Sequence, residues 1–200
     1  MRITGGTLKG RVIRVSARGV RPTQERVREA IFSSLGPVLD GAAALDCFAG
    51  TGALGLEAWS RGAARVDWVE ADPRAFAGLK ANVAQLCGGA LSASCLRREV
   101  FSFLKRDRVV CYDFVLADPP YGAHTVPFDT ARFLALLRRR GWVRLGGYVV
   151  LEERSGTTKN KDYPGWIVTR NRRYGGTLVR FFTLAEIWND YEESNLSRYV

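Results

Sequence analysis

Two short runs of this 200-residue sequence combine residue types whose spacing could support chemistry. The first is Leu45-Asp46-Cys47-Phe48-Ala49-Gly50-Thr51-Gly52-Ala53-Leu54-Gly55, an apolar stretch that enters a glycine-rich turn and leaves it as a helix. Gly50 and Gly52 let the backbone approach a ligand closely, and Gly55 lets the following helix lie against the strand. Glu70 closes the next apolar stretch 24 residues after Asp46, where an acid can accept both hydroxyls of a ribose. Two cofactor classes compete for such a turn. A nicotinamide dinucleotide needs a helix N-terminus open to pyrophosphate, which Asp46 would repel. A carboxylate there suits a cationic ligand instead, and the amino group and sulfonium of S-adenosylmethionine fit that description; a purely structural turn is the remaining reading.

The second run is Tyr112-Asp113-Phe114-Val115-Leu116-Ala117 followed by Asp118-Pro119-Pro120-Tyr121. Ligands of open α/β sheets sit outside the carboxyl ends of the strands, which is where this run ends. Two consecutive prolines fix φ and remove two N–H donors, so the Asp118 carboxylate and the carbonyls of the Pro119-Pro120 segment form an array of acceptors. Such an array suits an exocyclic amino group, whose lone pair is delocalised into its ring until hydrogen bonds to its protons favour a more nucleophilic geometry. Tyr121 supplies a face on which a base can stack, and a base inside a helix must be flipped out to reach it. His124, three residues further on, is read as a solvated loop histidine or a substrate contact. The bland alternative for the whole run is a rigid turn after a buried strand.

The elements that must position these residues alternate from Ala43 onward as short apolar strands and amphipathic helices, the pattern of βαβ units around a parallel sheet. Strands are expected at 44–48, 65–70, 93–97, 112–117 and 147–152, with helices at 52–61, 73–86, 101–106 and 130–140. Glu99 follows the third strand, where it either meets an adenine amino group or serves as an acid at a helix N-terminus. Beyond the polar stretch 155–162, two strands at 166–173 and 177–184 flank Gly175-Gly176 and read as a hairpin. Ahead of the sheet, residues 1–20 read as a basic β-hairpin around Gly5-Gly6 and Gly10. A helix then opens at Pro22-Thr23, carries Val27, Ala30, Ile31 and Leu35 on one face with Arg26 and Arg28 off it, and stops at Gly36-Pro37.

At these residues the chain resembles the RsmD-type bacterial methyltransferases that act on the N2 of a guanine in 16S ribosomal RNA. The matching segments are Arg2-Ile3-x-Gly5-Gly6 with Lys9-Gly10-Arg11, then Arg21-Pro22-Thr23-x-x-Arg26-Val27-Arg28-Glu29, the run from Leu45 onward, and Asp118-Pro119-Pro120-Tyr121. The resemblance implies a single Rossmann-like class I methyltransferase domain, α/β, with a mixed seven-stranded sheet ending in an antiparallel hairpin. It divides the chain into a basic, RNA-facing extension (1–40) and the donor-binding domain (41–185); the acidic tail (186–200) lies outside the family pattern. It implies donor contacts at Asp46, Phe48, Ala49, Gly50, Thr51, Gly52, Glu70, Ala71, Glu99, Val100 and Asp118, and a guanine gripped by Asp118 to Tyr121. Arg11, Arg21, Thr23 and Arg26 would meet RNA. Glu99 is a longer acid than the Asp or Asn expected at its position.

Composition fits this picture and bounds it. The sequence is 46% hydrophobic and 25% charged, which suits one compact domain with a modest appendage. Net charge is +10; Glu186, Asp190, Glu192 and Glu193 against Arg198 leave −3 in the last 15 residues, so the rest carries +13. That excess favours a polyanionic partner. Cys47, Cys87, Cys95 and Cys111 form no C-x-x-C pair, and one histidine gives them no zinc partner set, so they read as small buried apolar residues and no metal is expected. No 18-residue apolar run and no apolar leader stands in the sequence, which points to the cytoplasm and no membrane. A monomer acting on 16S rRNA, within a small-subunit particle, is the expectation. The rivals are a DNA adenine-N6 or cytosine-N4 methyltransferase, for whose recognition region the chain leaves little room, and a catalytically idle RNA-binding assembly module.

Overall fold

The computed structural model describes residues 1–15, 23–120, 128–156 and 162–185. Seven strands form one sheet in the order β3-β2-β1-β4-β5-β7-β6, and the chain divides into two compact units, Met1–Val100 and Phe101–Val200.

In the first unit, α1 (Thr23–Leu35) precedes three parallel strands and two helices: β1 (Ala43–Cys47), α2 (Ala53–Ser60), β2 (Arg65–Glu70), α3 (Pro73–Cys87) and β3 (Ala93–Arg97). β1 and β2 are almost continuously buried, as strands covered on both faces must be. The register sets Asp46 beside Trp68 and Glu70 beside Arg97. Asp72 starts α3 by accepting from the N–H groups of Arg74 (3.0 Å) and Ala75 (2.7 Å), with Pro73 at the first helical position, and Gly88 ends it in a left-handed conformation. Gly36-Pro37 ends α1 as expected, but the chain continues as a 3-10 turn to Leu39.

The N-terminal segment is only partly the hairpin expected. Ile3 N–H bonds to Arg11 O (3.0 Å) and Gly10 N–H to Ile3 O (2.8 Å), yet a single bridge, Arg2 with Val12, is formed; residues 16–20 lie outside the described residues. The segment gains its stability from α2 instead. Glu57, completely buried, accepts from Thr4 N–H (3.0 Å), Thr4 Oγ1 (2.5 Å), Arg28 Nε (3.1 Å) and Arg61 Nε (3.1 Å). Gly6 takes φ 77° directly over Ser60, where a Cβ would run into the Ser60 carbonyl. Arg28, expected off the apolar stripe, instead shares the buried face of Ile31 and Leu35; it is 2% exposed and committed to Glu57.

The short α4 (Val100–Leu104) spans the boundary between the units. The second unit contains β4 (Tyr112–Ala117), α5 (Thr130–Arg139), β5 (Val143–Arg154), β6 (Trp166–Tyr174) and β7 (Thr177–Leu184). β4 and β5 are parallel, with Ala117 beside Leu151; β5, β7 and β6 are antiparallel. β5 is longer than the expected 147–152 because Gly146 (φ 75°) and Gly147 lie within the strand, where the pairing with β4 shifts register, rather than before it. Gly175-Gly176 makes the two-residue turn of the β6–β7 hairpin.

All four cysteines are free thiols, Cys47 and Cys87 buried as expected but Cys111 exposed. Burial raises the Cys47 thiol well above its usual range and pushes Cys87 up to about 12 and Cys95 to about 11, so these three are inert at neutral pH. Among the described residues no helix is long and apolar enough to cross a membrane, and no group of three metal-ligating side chains occurs.

Candidate active site

The glycine turn is braced from below and open above. Asp46, 1% exposed, accepts from Gly55 N–H (2.8 Å) and so ties the end of β1 to the first turn of α2. Trp68 of β2 lies under the turn, donating from its indole nitrogen to Gly52 O (3.2 Å). A Cβ on Gly55 would lie 2.6 Å from Trp68 Cε2, and one on Gly52 (φ 83°) 2.5 Å from Leu79 Cδ1. These two glycines are thus required by packing within the protein. Gly50 differs: its φ is 54°, and a Cβ there would meet nothing within 4 Å. The open face that a ligand needs is the one above Gly50.

Glu70 borders that face. One oxygen of its half-exposed carboxylate accepts from Gly50 N–H (2.7 Å) and the other from Asp72 N–H (2.8 Å). The glycine turn and the acid at the end of β2 are therefore one rigid piece, with the carboxylate's remaining lone pairs free in direction to accept ribose hydroxyls. Phe48 adds strain to the same corner, as the single non-glycine residue with positive φ (59°) among those described. Ala49 donates to Val69 O (3.1 Å) and accepts from Gly52 N–H (2.7 Å), and Thr51 sits half-buried between the glycines. Ala71 and Glu99 are exposed, Glu99 standing immediately before α4, and Val100 is buried at the start of that helix.

These residues fit the donor expected. A nucleoside can lie on the open backbone at Gly50 with its ribose at Glu70, and a buried carboxylate at Asp46 leaves the turn without the positive potential a pyrophosphate would need. Three side chains that hold the glycine turn or the N-terminal segment in place are not among the residues expected from sequence. Trp68 and Glu57 look like ordinary strand and helix residues, and Asn82 is an amide placed three residues after Leu79 on the apolar face of α3. An uncharged polar residue on a buried stripe was the available signal for Asn82.

In the second unit, Asp118 follows β4 directly. It is partly covered, Pro119 is buried and Pro120 exposed. Desolvation raises the Asp118 carboxyl from 3.8 to about 6. A carboxylate so placed is a better proton acceptor near neutral pH than an ordinary one. Further along, Thr130 Oγ1 donates to Glu153 Oε1 (2.7 Å) and Arg180 pairs with the same carboxylate, with its guanidinium 5.2 Å from the Tyr163 ring centre and 5.4 Å from that of Phe182. The buried charges of Glu153 and Arg180 are thereby paired with each other. Tyr121 and His124 lie outside the described residues, as does Arg21 of the expected RNA contacts. Thr23 is the first residue of α1, and Arg11 and Arg26 are exposed.

Comparison with known proteins matches residues 1–183 to the family described as conserved hypothetical protein 95. The chain is 33% identical to the ribosomal RNA small subunit methyltransferase D of Escherichia coli K12 over 183 residues, 91% of this chain and 89% of that protein. It is 30% identical to the Haemophilus influenzae protein of the same name, over 91% and 93% of the two chains. A solved Escherichia coli structure described as a candidate methyltransferase, yhhF, superposes with a TM-score of 0.81 at 30% identity, covering 94% of this chain and 99% of that one.

Proposed function

The chain belongs to the RsmD family of 16S rRNA methyltransferases, with the α/β class I methyltransferase fold, and on that premise we propose that it transfers a methyl group from S-adenosylmethionine to the exocyclic N2 of a guanine in 16S ribosomal RNA. The observation that carries the donor half is the Gly50–Glu70 clasp, an open glycine backbone fixed to an acid of the right reach for a ribose. Asp46, Phe48, Ala49, Thr51 and Gly52 would complete the donor's seat, with Ala71, Glu99 and Val100 toward its adenine. Bound there, the donor supplies a methyl group activated by its positive sulfur, so this route calls for no metal.

The chain's own residues supply the rest. Asp118 and the carbonyls of Pro119 and Pro120 accept hydrogen bonds from the guanine amino group, which localises its lone pair and aims it at the methyl carbon. As the nitrogen–carbon bond forms, the carbon–sulfur pair leaves with the sulfur and one amine proton must depart. Asp118, with its carboxyl near 6, can take that proton and return it to water at neutral pH. Tyr121 would stack on the flipped base, and Arg11, Arg21, Thr23 and Arg26 would hold the RNA backbone. We place the reaction in the cytoplasm, with a monomeric enzyme acting on a small-subunit particle.

The test is to incubate the protein with isotopically labelled donor and small-subunit particles from a strain lacking the activity, then map the labelled nucleoside. N2-methylguanosine is expected. Label in DNA as N6-methyladenine or N4-methylcytosine would replace this reading with a DNA methyltransferase, and no transfer to any nucleic acid would leave a binding module. Asp118→Ala should abolish transfer while donor affinity stays within a few-fold of wild type.

A further inference from the structure

Asn82 makes three hydrogen bonds that join parts of the first unit far apart in sequence. Its side chain is 1% exposed on α3. Oδ1 accepts from Arg14 N–H (3.0 Å), while Nδ2 donates to Arg14 O (2.9 Å) and to Thr51 O (3.0 Å). The amide can face only one way: turned over, its NH2 would oppose the Arg14 N–H and its oxygen would oppose two carbonyls. Thr51 O belongs to the peptide that joins Thr51 to Gly52, whose N–H closes on Ala49 O (2.7 Å). Asn82 therefore sets one peptide plane of the donor turn, as Glu70 sets the one before Gly50. With the same group it holds, as a strand would, both main-chain polar atoms of Arg14, at the end of a segment whose Arg2, Lys9, Arg11 and Arg14 are exposed.

We propose that Asn82 is a positioning residue that couples the donor turn to the basic N-terminal segment, so that filling the donor site raises affinity for RNA and RNA raises affinity for the donor. The inference rests on the donor and RNA reading given above. A ligand that rigidifies the turn at Thr51 fixes the amide, and the amide fixes Arg14; the second ligand then meets a segment already ordered. Such coupling is reciprocal by necessity and is commonly fivefold or more. The two bonds to Arg14 are to its backbone, so the coupling does not depend on the Arg14 side chain.

The experiment measures the affinity of the full chain for a 16S rRNA fragment with and without saturating S-adenosylhomocysteine, in the wild type, Asn82→Ala and Arg14→Ala. The wild type should bind RNA at least about fivefold tighter with the nucleoside present. Asn82→Ala should still bind both ligands with the ratio reduced to about one, and Arg14→Ala should bind RNA more weakly with the ratio unchanged. A wild-type ratio of one, or an Asn82→Ala ratio equal to that of the wild type, overturns the proposal. Should Asn82→Ala fail to fold, hydrogen exchange in the wild type decides: the Arg14 amide should slow when S-adenosylhomocysteine binds, and an unchanged rate refutes the coupling. If the wild type binds no S-adenosylhomocysteine at all, it is the donor reading that fails; if both ligands bind independently, only the coupling does.

Discussion

Asp118, as the proposed proton acceptor, would serve chemistry at the expense of stability. Its carboxyl sits at about 6 in the folded protein against 3.8 ordinarily, with desolvation as the cause. An acid raised in this way binds a proton more tightly folded than unfolded, so folding stability grows as pH falls from about 6 toward 4 and the penalty is fully present above 6. Asp118→Asn should therefore raise the unfolding free energy at pH 8 by about 1–3 kcal/mol while removing most of the methyl transfer, read by denaturant titration and a transfer assay on the same samples. In the wild type the transfer rate should fall as pH drops below about 6, when the acceptor is protonated, and a rate flat from 7 to 5 would exclude Asp118 as that acceptor. Glu70 makes a second residue-scale case. Glu70→Gln keeps one acceptor for Gly50 N–H but turns an NH2 toward Asp72 N–H, so calorimetry should show S-adenosylhomocysteine binding weakened by about tenfold or more.

At the scale of elements, the packing of α2 on β1 and β2 is what presents the turn proposed to seat the donor. Gly55 is the contact point, and Gly55→Ala would press a methyl into Trp68. The helix must then shift, and an overpacked contact of this kind costs about 1–3 kcal/mol, measurable as a lower denaturant midpoint with an unchanged slope. The strands and helices were largely legible, because parallel strands buried on both faces read as unbroken apolar runs and the helices between them keep one apolar stripe. The place of Glu70 was legible for the same reason, since it closes β2, and that of Gly50 by the glycine-rich turn that begins three residues past the end of β1. Glu57 and Asn82 were not, since their partners lie 53 and 68 residues away along the chain and nothing in local periodicity reports a tertiary hydrogen bond. Arg28 is a different case: it stands three residues before Ile31 and seven before Leu35, on the buried face of α1 rather than off it, and the buried Glu57 explains why a cation is tolerated there.

Across the whole molecule, charge is the property that sequence conveys best, because +10 needs no coordinates to be felt by a polyanion. What coordinates add is which cations are available. Arg28 is committed to Glu57 and Arg180 to Glu153, whereas Arg11 and Arg26 face solvent. Arg170, Arg172 and Arg173 are also exposed, along the edge strand β6, where charge discourages pairing with another sheet. Reversing Arg11 and Arg26 together should weaken binding to 16S rRNA at low salt and flatten the dependence of log K on log salt by about 1.4, the value for two phosphate contacts on a single strand. The same double change should leave S-adenosylhomocysteine binding unaltered.

The seating of residues 1–15 on Glu57, Ser60 and Asn82 has a consequence for how the protein is made. This segment leaves the ribosome ahead of its anchors on α2 and α3, which are synthesised 50 to 70 residues later. At translation speeds of about 5–20 residues per second it must wait several seconds, solvated and strongly cationic, beside the class of polymer that we propose it contacts. Its docking closes a long loop and belongs late in folding, so a nascent chain paused before Asn82 should leave these first residues open to protease while a chain paused well beyond it protects them.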